Sequence, residues 1–258
     1  MSKISEAFKD KKAFIPFITC GDPDLDTTKG IIKALEKNGA DLIELGIPFS
    51  DPTAEGPVIQ GANIRALKNN ITTDDVFKMV EEVRETVTIP LCFMTYANVV
   101  FSYGIDRFFE RCNEVGINGI ILPDVPFEEK EEFEGAALEY DVDFISMIAP
   151  TSENRIDLIA KEAHGFIYIV SSLGVTGTRS KLDESIKNVV DRVKLNTDVP
   201  CAVGFGISTP EQAAKMAQIS DGAIVGSAIV RLVEQYGKEA PEHVGAFVKK
   251  MKEAYYAS

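Results

Sequence analysis

The chain has 258 residues, of which 45% are hydrophobic and 26% charged, a composition that supports a sizeable core and excludes a disordered or fibrous protein. Its net charge of -13 and pI near 4.7 argue against a nucleic-acid binder and against docking on an anionic membrane. No apolar run reaches the roughly 18 residues of a membrane span, and Met1 to Lys12 holds no apolar signal core, so a cytoplasmic protein is expected.

From the N-terminus, Ile4, Ala7 and Phe8 share one side of a short amphipathic helix. Short apolar runs follow at Ala13–Thr19, Leu42–Gly46, Leu91–Tyr96, Gly119–Leu122, Phe144–Ile148, Phe166–Val170, Ala202–Gly204 and Ala223–Val225. Between them lie helical patterns at Thr27–Asn38, Thr73–Thr86, Ile105–Val115, Glu128–Tyr140 and Asp183–Leu195. Strands alternating with helices predict right-handed βαβ units around a parallel sheet. Eight such units at this length, with no linker or low-complexity tract, predict an α/β fold in which residues 1–258 form a single (β/α)8 TIM barrel with a short extra N-terminal helix. A doubly wound open sheet is the competitor. Its G-x-G-x-x-G fingerprint is missing after the first run, which ends Thr19-Cys20-Gly21-Asp22-Pro23.

The second run ends in E-L-G-I-P-F-S-D-P-T-A-E-G-P, with Glu44, Asp51 and Glu55 close together. Alternation puts Ile43 and Leu45 on one face of the strand and Glu44 on the other. A carboxylate on a strand buried on both faces is costly unless it is paired or used. Pro48, Ser50, Asp51, Pro52 and Gly56 then predict an irregular loop before the next helix.

Phosphate commonly binds a barrel at the loops after strands seven and eight. Here those loops carry Gly204-Phe205-Gly206-Ile207-Ser208 and Gly226-Ser227, whose backbone N–H groups can approach an anion closely. Gly174-Val175-Thr176-Gly177, after strand six, is a third glycine-rich piece. Arg179 and Lys181 beside it serve either the same anion or only solvent. No lysine lies in any predicted strand, so a Schiff-base mechanism lacks its nucleophile. Cys20, Cys92, Cys112 and Cys201 show no C-x-x-C spacing and read as buried reduced thiols. Only His164 and His243 are present, both in helix-like contexts, which leaves no expected metal site. Near the strand ends remain Glu44, Asp51, Glu55, Asp124, Tyr96 and Tyr168. That inventory suits general acid–base catalysis on a substrate that supplies its own electron sink. Asp124 is equally a turn or packing residue, and the two tyrosines read as pocket walls ahead of acids.

Taken together, Glu-Leu-Gly-Ile-Pro-Phe-Ser-Asp-Pro at 44–52, Gly-Pro-Val-Ile-Gln at 56–60, Tyr-Ala-Asn at 96–98, Pro-Asp-Val-Pro at 123–126 and the three glycine motifs resemble the tryptophan synthase alpha subunit family, in order and over nearly the whole chain. The resemblance implies a lyase that cleaves indole-3-glycerol phosphate to indole and glyceraldehyde 3-phosphate in tryptophan biosynthesis. It implies no cofactor in this chain and an α2β2 complex with a beta subunit that carries pyridoxal phosphate. On it, Glu44 is the acid–base group at indole C3 and the glycerol hydroxyl. Glu55 takes the place of the family's second carboxylate, usually aspartate, and holds the indole N–H. Phe17, Tyr96, Tyr168 and Phe205 match the indole pocket. Thr176 and Gly177 match a mobile loop, and Asp51, Pro52 and Pro126 match positions facing the partner. A weakly catalytic regulatory subunit, a freestanding indole-releasing lyase and another phosphate-binding barrel enzyme, such as a sugar-phosphate epimerase, are the alternatives.

Overall fold

The structure, a computed structural model, describes residues 2–149, 152, 154–170, 179–204 and 206–256, without the side chains of 179–183 and 256. Its strands are β1 Ala13–Thr19, β2 Ile43–Gly46, β3 Leu91–Met94, β4 Gly119–Ile121, β5 Asp143–Phe144, β6 Ser146–Ile148, β7 Ile167–Val170, β8 Cys201–Gly204 and β9 Gly222–Val225. All pair in parallel, in the order β5-β4-β3-β2-β1-β9-β8-β7-β6. The two ends of this sheet are halves of one strand, the fifth predicted run, interrupted at Ile145. Its first half pairs with β4, the Ile145 N–H donates to the Ile120 carbonyl at 2.9 Å, and its second half pairs with β7. The ring closes through the chain itself, giving the (β/α)8 barrel.

The helices are α1 Lys3–Glu6, α2 Leu25–Lys37, α3 Pro57–Leu67, α4 Thr73–Arg84, α5 Ala97–Tyr103, α6 Ile105–Val115, α7 Glu131–Glu139, α8 Ile156–Glu162, α9 Arg179–Lys194, α10 Pro210–Ile219, α11 Ser227–Tyr236 and α12 Ala240–Glu253. Local chemistry explains several boundaries. The Asp24 carboxylate accepts the Thr27 N–H at 2.7 Å and starts α2, and Thr72 with Asp75 forms a capping box on α4. Two expectations are corrected. The helix predicted from Asp183 begins at Arg179, which moves Arg179 and Lys181 from a loop into α9. Its polar first turn has no apolar period by which to read it. His164 lies in the loop before β7 rather than in a helix.

Alternation sorts the strand residues into two packed layers. Ile43 and Leu45 face outward with Phe14 and Phe93 onto α2 and α4, where Ile31, Leu35, Phe77 and Val80 meet them. Ala13, Ile15, Leu42, Cys92 and Phe166 face the barrel axis, and Ile4, Ala7 and Phe8 from the N-terminal segment join them. The Phe8 and Phe166 rings lie 5.7 Å apart, so this segment seals the N-terminal end. Each fully buried side chain of this size contributes about 1.5–3 kcal/mol. All four cysteines are buried and free. No helix among the described residues is long and apolar enough to cross a membrane.

Candidate active site

With its N-terminal end sealed, the barrel opens at the C-terminal ends of its strands into a cavity of about 410 Å³. Phe17 of β1, Glu44 of β2, Met94 of β3, Tyr168 of β7 and Ile224 of β9 line it from below. Glu55, Gly206, Gly226, Ser227 and Arg231 line it from loops and from α11. Register places Glu44 between Phe17 and Cys92 on the neighbouring strands. Two glycines make room for the aromatic walls. A Cβ at Gly46 would lie 2.7 Å from the Phe17 ring, and one at Gly204 would lie 2.3 Å from the Tyr168 hydroxyl. Neither position accepts a side chain without displacing a wall.

Glu44 is 1% exposed, and neither of its carboxylate oxygens has a hydrogen-bond partner among the described residues. Burial pushes its carboxyl up to about 8, so at neutral pH it stands mainly as the neutral acid. The same burial, reinforced by Glu44, pushes the Tyr168 hydroxyl well above its ordinary value and keeps it protonated.

Glu55 ends the irregular loop 47–56 and is partly buried. Its Oε2 accepts from Asn63 Nδ2 at 2.6 Å, and its carbonyl accepts from Gln60 Nε2 at 2.9 Å. Burial raises its carboxyl, while hydrogen bonds from Asn63 and Tyr96 act to lower it. Tyr96 fastens this loop beside the cavity-lining Glu55. It is buried, its hydroxyl accepts the Ala54 N–H at 3.1 Å, and its ring meets Phe49 with centroids 5.2 Å apart. Asp124 accepts the Ala97 N–H at 3.0 Å, at the start of α5.

At the other end of the cavity, two helix N-termini differ. The start of α10 is closed by its own cap, because Gln212 Oε1 accepts from the Ser208 N–H at 2.7 Å and the Thr209 N–H at 3.3 Å. The start of α11 is open: Ile229 and Val230 donate back to the Gly226 carbonyl, while Ser227 and Ala228 have N–H groups with no acceptor among the described residues. These amides, beside Gly206 and with Arg231 as the only cation among the described lining residues, form an anion-ready corner. Thr176, Gly177 and Phe205 lie outside the described residues.

A second cavity of about 750 Å³ shares Glu55, Gly56, Met94 and Gly206 with the first and continues beneath Pro123, Val125 and Phe127. Pro126 is exposed at its rim, and Asp51 is exposed and Pro52 half-buried on loop 47–56. No cluster of metal-ligating side chains occurs among the described residues. Sequence reading missed Asn63, Gln60, Met94 and Arg231. Asn63 and Gln60 sit a turn or two along α3 from Glu55, and the Gly56-Pro57 helix start is the signal that could have exposed them.

Fold and site together define a (β/α)8 barrel with a cavity at the C-terminal ends of its strands and a buried carboxylate, Glu44, in that cavity. The sequence pattern of the family described as Tryptophan synthase alpha chain matches residues 4–256, and the chain belongs to that family. The tryptophan synthase alpha chain of Lacticaseibacillus casei is 49% identical over 254 residues, covering 98% of this chain and 96% of that one. Among solved structures, the alpha subunit from Legionella pneumophila superposes with a TM-score of 0.91 at 36% identity and full coverage of both chains. A chain of the α2β2 complex from Pyrococcus furiosus superposes with a TM-score of 0.87 at 34% identity, covering 94% of this chain and 99% of that one.

Proposed function

We propose that this chain is a single-domain cytoplasmic lyase that cleaves indole-3-glycerol phosphate to indole and glyceraldehyde 3-phosphate, as the alpha subunit of a tryptophan synthase. The observation that carries the reading is Glu44, a buried acid without a partner among the described residues, held protonated between apolar and aromatic walls. Such an acid can protonate indole C3, which turns the ring into a leaving group. As a carboxylate it then takes the proton of the adjacent glycerol hydroxyl. The O–H electron pair becomes the carbonyl, the carbon–carbon bond breaks, and its electrons return to the ring. Glu44 ends the cycle protonated, as it began.

Positive charge develops at the ring nitrogen during this sequence. Glu55, oriented by Asn63, accepts the ring N–H and stabilises that charge. Phe17, Tyr168 and Met94 give the ring its apolar bed, and the amides of α11 with Gly206 take the phosphate. These steps use only the chain's own residues, and the family resemblance assigns pyridoxal phosphate to the beta partner.

Asp51, Pro52 and Pro126 on the C-terminal face meet that partner in an α2β2 assembly. The Pyrococcus furiosus relative, whose structure concerns mutual activation of such a complex, supports assembly with a beta subunit. Indole release from indole-3-glycerol phosphate, measured with and without the beta subunit, tests the reading. Slow release that rises markedly with partner is expected. An unchanged rate at saturating partner points to a freestanding lyase, and no turnover in either case removes the reading.

A further inference from the structure

Helix α3 makes one set of contacts that this chemistry leaves unused. Arg65 donates from Nε and Nη2 to the two carboxylate oxygens of Asp22, both at 2.8 Å, and from Nη1 to Glu234 on α11 at 2.9 Å. Asp22 is 2% exposed, so the first pair is a two-pronged charged contact in a nearly dry setting, whereas the Glu234 side chain is more than half exposed. Two residues earlier on the same helix, Asn63 holds Glu55, and Ala62 packs with Phe17 and with Val230 of α11. One eleven-residue helix therefore touches the acid assigned to the ring end of the substrate, a wall of the cavity, and the helix whose N-terminus is assigned to the phosphate end.

Resting on the function proposed above, we infer that Arg65 is a positioning residue that couples the two ends of the site. By pinning α3 to both the β1 loop and α11, it makes the placement of α11 against an anion and the placement of Glu55 against the ring one event. Energetic coupling of this kind is reciprocal. An anion bound at α11 tightens indole binding, and indole tightens anion binding by the same factor. A mere structural staple would lower stability without touching that factor.

The chain contains no tryptophan, so indole fluorescence reports on the ligand alone. The indole dissociation constant is measured on the full chain with and without saturating glycerol 3-phosphate. In the wild type, glycerol 3-phosphate is expected to tighten indole binding at least about fivefold, the lower end of ordinary coupling. Arg65→Lys keeps a cation beside Asp22 but cannot hold two carboxylates in a planar fork. It should cut the factor below about twofold while leaving the affinity for glycerol 3-phosphate alone little changed. Glu234→Gln releases only the α11 arm and should cut the factor partway; it carries the test if Arg65→Lys does not fold. Wild-type coupling retained in Arg65→Lys, or in Glu234→Gln where that variant stands alone, overturns the inference. So does independent binding of the two ligands to the wild type. Failure of both ligands to bind at all overturns the functional reading instead, which is a different result from binding without coupling.

Discussion

At the N-terminal end of the barrel, Asp41 accepts the Phe14 N–H at 2.8 Å and pairs with Lys11 at 2.7 Å and Lys252 at 2.5 Å. Arg84 beside it donates to the carbonyls of Gly116 and Ile89 at 2.6 Å each and to Asn118 at 2.9 Å. At the C-terminal end, Glu44 has no partner for either oxygen among the described residues, and the hydroxyls of Thr19 and Thr95 are buried and equally unpartnered. Both ends bury polar groups. The N-terminal end satisfies most of these groups, Asp143 Oδ2 excepted, whereas the C-terminal end leaves Thr19, Glu44 and Thr95 without partners among the described residues. Unpaired buried polar groups cost stability and are rare in native proteins, so a cluster of them at one end marks where the fold gives up stability for chemistry.

The largest expected effect comes from Glu44→Gln, which keeps shape and removes the exchangeable acid. General acid–base groups contribute about 10²–10⁴-fold, and a residue serving two steps belongs near the upper end. Steady-state indole release from the purified variant should fall accordingly, and turnover within a few-fold of wild type would assign the proton transfers elsewhere. The same substitution should stabilise the fold at high pH. Burial raises the Glu44 carboxyl from 4.5 to about 8, so the folded state holds a proton that the unfolded chain releases. Its favourable contribution is full below pH 4.5 and is lost as pH rises through about 8, at roughly 1.4 kcal/mol per unit. Glutamine does not titrate. Denaturant unfolding at pH 5, 7 and 9 should show the variant gaining on wild type with each step. A constant difference across that range would mean that Glu44 is not a raised acid. Wild-type kcat/KM should likewise decline above about pH 8 as the acid form is lost.

Asp41→Ala tests the opposite end. Removing one member of a buried charge network typically costs 3–5 kcal/mol, and because Lys11 is 39% exposed and can rehydrate, a loss of about 2–3 kcal/mol is expected. Indole release per folded molecule should stay as it was. A fall in kcat without a fall in stability would break the division between the two ends.

Glu55→Ala lies between these cases. A hydrogen bond to a charged group is worth about 1.5–3 kcal/mol, which is roughly tenfold to a hundred-and-fifty-fold in kcat when realised in the transition state. Glu55→Asp should retain part of the activity, since the charge remains. Undiminished kcat in Glu55→Ala would return this residue to a purely structural part in its loop.

The smallest stability change is expected for Gly226→Val. A Cβ there would meet Phe17 at an ordinary 3.5 Å, so the fold can accept it. The added methyls crowd the leading amides of α11 and should weaken glyceraldehyde 3-phosphate binding more than they lower Tm. Equal binding by wild type and variant would remove this corner from the phosphate site.

The apolar periods located all eight barrel strands, because a strand buried on both faces reads as an unbroken apolar run. Glu44 was legible for the same reason, as the one charge inside such a run. Tyr96 was harder. Sequence marks it as an aromatic near a strand end, but its part in holding loop 47–56 shows only where that loop folds back over it. Asn63, Gln60 and Arg65 were invisible as a set, since their partners Glu55, Asp22 and Glu234 lie on three different segments that only the closed barrel brings to α3. The early start of α9 escaped because a polar helical turn leaves no hydrophobic period.

The interruption at Ile145 also has a mechanical meaning. A closed barrel is usually described as a sheet without edges, yet here, among the described residues, β5 pairs with β4 alone and β6 with β7 alone. Two short edges face each other across one strand, and the hoop is completed there by covalent bonds rather than by a ladder. That seam is the place where the circumference can widen without breaking a strand-to-strand hydrogen bond. It lies beside Met147 and Ala149, on the wall of the larger cavity. Amides of residues 143–148 should therefore exchange with solvent ahead of those in β1 and β2, making the wall of that cavity the compliant side of an otherwise stiff cylinder.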